Sequence, residues 1–314
     1  SILEAREKLS RAKDFDALAS HIQNYPLTYK DAFIRTNANI FPIGLLQNQI
    51  EFILLNPYPP YIGEIGYLKG VNNTLEFVID ETLKEVEFPT KSTELKGCIT
   101  IYEHPFKVNG VIPYGLYIAG TDPYAQDVAT TSPSLGSTFI YKRFYNAANT
   151  YDMIVAEYTG RPSTIDEYHE NVRKLLMYYN ARVLYENNIP GLKQYFEIKN
   201  CLYLLQPQPG IIKDIVTNTL VDRKYGIHMT DKIKLYLLNE VKNWLLQETD
   251  EGKYNLEKIY SINLLKELID YNDEDNFDRV IAFGLCILQD REMYNLEVAE
   301  QESKKDIMFD NFFS

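Results

Sequence analysis

The chain has 314 residues, 45% of them hydrophobic and 13% aromatic, which excludes a disordered polymer and suits one large domain or two modest ones. Its formal charge is −12, and the stretch from Leu264 to the end holds 5 basic and 13 acidic residues, leaving the body close to balance. Binding to a polyanion therefore needs a local basic patch, and three scattered cysteines (Cys98, Cys201, Cys286) argue against a zinc ribbon or a disulfide framework. No apolar run approaches the roughly 18 residues of a membrane span, and Glu4, Arg6, Glu7 and Lys8 interrupt any signal-peptide core. A soluble, intracellular protein is expected.

In chain order, Ile2 to His21 reads as an amphipathic helix and Thr28 to Phe33 as a short capped turn. A second helix covers Ile43 to Leu55, stopped by Asn56-Pro57 and Pro59-Pro60. From Tyr61 to Lys107 the periodicity falls toward two, with strand-like runs at 75–79 and 98–102. Three strands follow at 116–122, 138–144 and 153–158, joined by loops short enough for antiparallel pairing. Thr164-Ile165-Asp166-Glu167 then matches a capping box and opens a helix whose apolar residues recur to Tyr179. A fourth strand at 182–186, a helical turn after Pro190-Gly191 and a fifth strand at 201–205 complete this section, and helices are expected at 230–247, 256–271 and 277–290.

This order of elements is that of a ribonuclease H-like fold. An α/β protein follows: a mixed five-stranded sheet flanked by helices, with an N-terminal helical linker over residues 1–60 and a β-rich extension.

Two acids stand where strands leave the sheet. Asp122 ends the first of the three strands, directly before Pro123, which cannot continue a ladder. Glu186 ends the fourth, before Asn187-Asn188-Ile189-Pro190-Gly191. Carboxyl ends of strands are where ligands collect in α/β folds, and parallel neighbours there would bring the two carboxylates together. Asp278 is a third acid, in the first turn of an apolar helix. Three converging carboxylates need a compensating cation, and hard oxygen donors without Cys or His favour Mg²⁺ or Mn²⁺. Two such ions, about 3.5–4 Å apart, would activate water and stabilise the leaving oxygen of a phosphodiester. Singly, each acid has a plainer role as a turn former or helix-dipole partner. Asp127, Asp273 and Asp275 read as solvated.

Other motifs are mostly negative: the sequence has no GxxxxGK[ST], HExxH or GxSxG. His169 falls on the polar side of its helix, and the other histidines are scattered. Lys213, Arg223, Lys224, Lys232 and Lys234 form a mildly basic stretch that could face DNA or solvent. Ile307-Met308-Phe309 and Phe312-Phe313 put apolar residues on an acidic tail that begins near residue 291.

Several of these stretches resemble the C-terminal nuclease domain of tailed-phage terminase large subunits. His21-Ile22-Gln23-Asn24-Tyr25-Pro26-Leu27-Thr28-Tyr29-Lys30-Asp31-Ala32-Phe33 looks like the segment linking that family's motor ATPase to its nuclease. Ile99 to Pro105 followed by Tyr117-Ile118-Ala119-Gly120-Thr121-Asp122-Pro123 looks like the approach to the first catalytic strand. Tyr185-Glu186-Asn187-Asn188-Ile189-Pro190-Gly191 resembles the second acidic motif, and Phe277-Asp278-Arg279-Val280-Ile281-Ala282-Phe283 the third. One departure concerns the third motif, where many relatives have two adjacent acids and Phe277 here precedes Asp278. That leaves Asp278 or Asp275 to complete the site, and its place on the helix favours Asp278. The tyrosine content and the β-rich segment before Asp122 point toward crAss-like gut phages.

The resemblance implies a two-metal endonuclease acting on double-stranded DNA, with Asp122, Glu186 and Asp278 as catalytic and metal-holding residues. It implies cutting of concatemeric genome during packaging, in the cytoplasm of the infected bacterial host. Portal protein, small terminase subunit and a motor ATPase upstream of Ser1 would be the partners, with residues 61–314 forming the nuclease. Two alternatives stand beside it: a junction resolvase on the same fold, and a docking module whose acids are only turn formers.

Overall fold

Residues of the strand Tyr117–Asp122 (β4) alternate between two helical layers, and this alternation organises the molecule. The computed structural model describes residues 2–12 and 39–312 apart from 71–73, 92, 125–133, 147, 189, 213–223, 250 and 273–274, together with positions 17, 21, 25 and 27; from residue 298 only the backbone is described. The expected turn at Thr28–Phe33, the acids Asp127 and Asp273, and the basic residues Lys213 and Arg223 lie outside the described residues.

Six more strands join β4: Glu64–Lys69 (β1), Glu76–Ile79 (β2), Ile99–Ile101 (β3), Gly136–Lys142 (β5), Met153–Gly160 (β6) and Arg182–Tyr185 (β7). They form one sheet in the order β2-β1-β3-β6-β5-β4-β7. All neighbours are antiparallel except β4 and β7, which run parallel with Thr121 opposite Tyr185. The set β6-β5-β4-β7 is the ribonuclease H-like arrangement, and the β-rich extension adds three strands to its outer edge. Gly66 in β1 is tightly enclosed, since a Cβ there would lie 2.0 Å from the Val78 carbonyl oxygen.

Among the described residues the helices are Ile2–Arg11 (α1), Ile43–Leu55 (α2), Ile165–Tyr179 (α3), Leu192–Ile198 (α4), Asp231–Leu245 (α5), Ile262–Asp270 (α6) and Asp278–Phe312 (α7). On one face of the sheet Tyr117, Ala119, Val183 and Tyr185 pack against α3 and α4. On the other, Ile118, Phe139, Tyr141 and Leu184 pack against α2, α5, α6 and α7. The α3 stripe of Tyr168, Val172, Leu175, Leu176 and Tyr179 is fully buried. Each such side chain stabilises the fold by about 1.5–3 kcal/mol, enough to exceed the cost of ordering its backbone. Thr164 caps this helix as its sequence requires, its hydroxyl accepting from Glu167 N at 3.2 Å, and Asn180 ends it in the left-handed region at φ 52°.

Several sequence expectations shift. Residues 201–205 form a short 3₁₀ turn at Leu202–Leu204 in place of a strand, with one parallel bridge from Leu205 to Val183. Pro207 and Pro209 follow and lack the N–H groups a longer ladder needs. The helix expected over 256–271 is interrupted, and α6 begins only after Ser261, whose hydroxyl accepts from Leu264 N at 3.2 Å. The last helix passes residue 290 and continues to Phe312, through a run that contains no Gly or Pro. Among the described residues no helix is long and apolar enough to cross a membrane.

Candidate active site

The position of the acids follows from one close approach. A Cβ on Gly120 would fall 2.1 Å from the Ala282 carbonyl oxygen and 2.7 Å from Cys286 N, so α7 lies directly on β4 there, and only glycine fits. Asp122 is two residues further along the strand on the same face, about 7 Å away. Asp278 is four residues back from Ala282, about one helical turn of 5.4 Å. The contact at Gly120 thus brings the end of β4 and the start of α7 to one place. Glu186 reaches it from β7, which pairs in register with β4, and Glu186 N donates to Thr121 O at 3.2 Å. Leu184, two residues before Glu186, belongs to the same layer as Ile118, which puts Glu186 on the Asp122 face.

Each acid is half-buried and electrostatically linked to at least one of the others. Burial pushes the Asp122 carboxyl well above the usual carboxylate range, and the charges of Asp278, Glu186 and Glu267 push it further. Glu186 rises to about 6, driven by burial and by Asp278 against the opposing charge of Lys234. Asp278 rises to about 6 through burial, although Leu135 N donates to its Oδ2 at 2.9 Å and the Ser134 hydroxyl to its Oδ1 at 3.3 Å. Among the described residues no three His, Cys, Asp or Glu side chains are already gathered into a metal-holding cluster. The carboxylates raise one another by charge, an effect that added positive charge or protons would relieve. Their chemistry, hard oxygen with neither sulfur nor imidazole, fits Mg²⁺ or Mn²⁺.

Asp275 has a different environment. It is exposed, and its N–H and carboxylate both bond the Asn272 side chain, each at 3.0 Å, as in an Asx turn.

Sequence reasoning missed the frame around these acids. The segment before α5 is laid against the end of β7: Asn187 N donates to Ile227 O at 2.8 Å and Ile227 N to Tyr185 O at 2.8 Å. Asn188 then exchanges two bonds with the Met229 backbone, at 2.8 and 3.0 Å, while the Asn187 side chain donates to Tyr225 O at 2.9 Å. The paired asparagines therefore hold the start of α5 beside Glu186. Thr230 caps α5, and Lys234, half-buried in its first turn, lies 5.9 Å over the Tyr271 ring and acts by charge on both Asp122 and Glu186. Arg161 donates to Ser134 O at 2.7 Å, stacks 4.6 Å over Tyr124 and acts by charge on Asp278. The asparagine repeat was visible in the sequence, whereas the tertiary partners of Lys234 and Arg161 were not.

His169 corrects the sequence reading. It is only 2% exposed, because α4 and the Gly191 turn cover its side of α3, and a Cβ on Gly191 would stand 3.2 Å from its ring. Burial lowers its pKa to about 4, so the ring is neutral.

No family model matches this chain, and no curated protein sequence does. Among solved structures it is similar to the large terminase nuclease from thermophilic phage G20c with bound zinc, at 12% identity and a TM-score of 0.39 over 66% of this chain and 93% of that one. The same nuclease with bound magnesium gives 11% identity and a TM-score of 0.39, covering 67% and 94% of the two chains. At such identity, function has to be read from this chain's own residues.

Proposed function

We propose that this chain is a metal-dependent endonuclease that hydrolyses the backbone of double-stranded DNA and cuts concatemeric viral genome during packaging. The observation that supports it is the meeting of Asp122, Glu186 and Asp278 on one sheet face, each raised by burial, with repulsion from a neighbouring acid adding to the rise of Asp122 and Glu186. These three would hold one or two Mg²⁺ or Mn²⁺ ions. When bound, such ions supply a nucleophilic hydroxide at neutral pH and stabilise the leaving oxygen.

The protein's part is to place and balance charge. Asp278 is fixed from below by Leu135 N and Ser134, so its orientation does not depend on a ligand. Glu186 stands on a strand end whose main chain is held by the Asn187 and Asn188 contacts. The Lys234 ammonium, which acts by charge on Asp122 and Glu186, and the Arg161 guanidinium, which acts on Asp278, would bind non-bridging phosphate oxygens and set the approach of a backbone. These local cations answer the difficulty raised by the net charge of −12. The motif resemblance supports the packaging role. From it come the remaining partners, a portal protein, a small terminase subunit and an upstream motor ATPase, and the host cytoplasm as the place of action.

Supercoiled-plasmid cleavage with Mn²⁺, Mg²⁺ or EDTA tests the reading. The expected result is metal-dependent nicking and linearisation, reduced by about 10³-fold or more in Asp122→Ala and Glu186→Ala. Cutting in EDTA, or undiminished cutting by both variants, would overturn it. Preference for branched over linear duplex would mark a junction resolvase instead, and a protein inert in every metal and not stabilised by Mn²⁺ a docking module.

A further inference from the structure

The first turn of a helix has N–H groups with no partner inside the helix, and a polar residue just before it usually supplies one. α7 is preceded by Phe277, which has no acceptor on its side chain. The acceptor comes from another helix. Glu267 of α6 receives Arg279 N on Oε2 at 2.9 Å and the Arg279 guanidinium on Oε1 at 2.7 Å. Both side chains are almost completely buried, at 4% and 2% exposed, and the guanidinium also donates to Val86 O. The residue gripped at main chain and side chain is thus the immediate neighbour of Asp278.

The hold extends to the sheet. Ser261, which caps α6, donates its hydroxyl to Glu157 Oε2 on β6 at 2.7 Å, and Tyr102 donates to Glu157 Oε1 at 3.0 Å. β6 is therefore tied to the start of α6, α6 to the start of α7, and the start of α7 carries the third acid. A buried ion pair adds little stability over apolar residues of the same size, so stability alone does not account for this one. Its geometry does.

We propose that Glu267 is a positioning residue for the acid site: by capping α7 from α6 it fixes the main chain bearing Asp278, and so sets where that carboxylate stands relative to Asp122 and Glu186. This rests on the metal-site reading above. Replacing Glu267 separates geometry from charge. Glu267→Gln keeps an acceptor at full reach and loses the charge, whereas Glu267→Asp keeps the charge and shortens the reach.

Two measurements on the whole chain decide it. The first is hydrogen exchange of the 278–281 amides without metal, and the second is Mn²⁺ affinity by calorimetry. Leu68→Ala, in the opposite layer, serves as a control for general destabilisation. The account expects Glu267→Asp to lose first-turn protection and about 10-fold in Mn²⁺ affinity, with Glu267→Gln changing both less and Leu68→Ala changing neither. Equal effects of the two variants, or a larger effect of Gln, would overturn it. A wild type that binds no Mn²⁺ would sink the metal-site reading alone, because the exchange pattern still reads the cap.

Discussion

Two acids of the same helix, Asp278 and Asp290, are twelve residues apart on α7, about 18 Å along its axis; burial raises both carboxyls, yet their partners differ. Asp290 meets Arg143, whose Nε donates to Oδ1 at 2.7 Å, and Arg143 also reaches Glu297 at 3.0 Å. Asp278 lies close enough to Asp122 and Glu186 to act on both by charge, while Lys234 is the cation that acts on both of those. Partway along the helix a carboxylate is met directly by a guanidinium, and at its start carboxylates act on one another. A carboxylate paired within the protein is a structural device. Carboxylates held together against their own repulsion are positioned for a ligand that brings charge with it.

The comparison is broken most forcefully at the position that brings the start of α7 to β4. Gly120→Ala pushes a methyl group against the Ala282 carbonyl, so α7 must move off β4. The variant should lose roughly 3 kcal/mol of stability in denaturant titration, together with Mn²⁺-dependent stabilisation of whatever remains folded. Stability unchanged in Gly120→Ala would mean that the helix does not rest where it is described.

The next test sets the two acids' surroundings against each other. Arg143→Met leaves Asp290 without its partner and should cost about 2 kcal/mol. Glu186→Gln removes one of the repelling charges and should stabilise the metal-free protein at pH 7 by about 1–2 kcal/mol, since a rise to about 6 marks the ionised form as unfavourable in the fold. Destabilisation in both variants would abolish the distinction between the two places. Lys234→Met gives the smallest effect: losing that counter-charge should raise the Asp122 and Glu186 pKa values further and destabilise the metal-free protein by less than about 1 kcal/mol at pH 7, read by the same titration.

How much of this was legible in the sequence depends on how far apart the interacting residues lie. Pro123 after Asp122 and the capping box at Thr164 act within a few residues, and both elements stand where their sequence puts them. The alternation through β4 also fixed which residues face which layer. Gly120 was legible only as a glycine in a strand, because the backbone it admits belongs to residues 282–286. Glu267 capping α7 from α6 has no local signature, as caps are recognised by their place just before a helix. His169 looked polar-facing because helical periodicity cannot see that the Gly191 turn folds over it. The run at 201–205 has the composition of a strand, but the prolines at 207 and 209 lack the N–H groups to extend its pairing.

The central claim is that the start of α7 is part of a metal site, and thermal stability across pH with and without Mn²⁺ tests it most directly. Glu186 and Asp278 have folded pKa values near 6, above their ordinary values, so the folded protein binds more protons than the unfolded chain between about pH 4 and 6. Metal-free stability should therefore fall as pH rises through that window, and go on falling as Asp122, raised further, loses its proton. Mn²⁺ requires the ionised carboxylates, so its stabilisation should be small at pH 5 and full above about pH 7. The account predicts that Mn²⁺ raises the melting temperature at pH 7.5, and that Asp122→Asn loses this gain while melting higher than wild type without metal. A wild type whose melting temperature at pH 7.5 is unmoved by millimolar Mn²⁺ would contradict it.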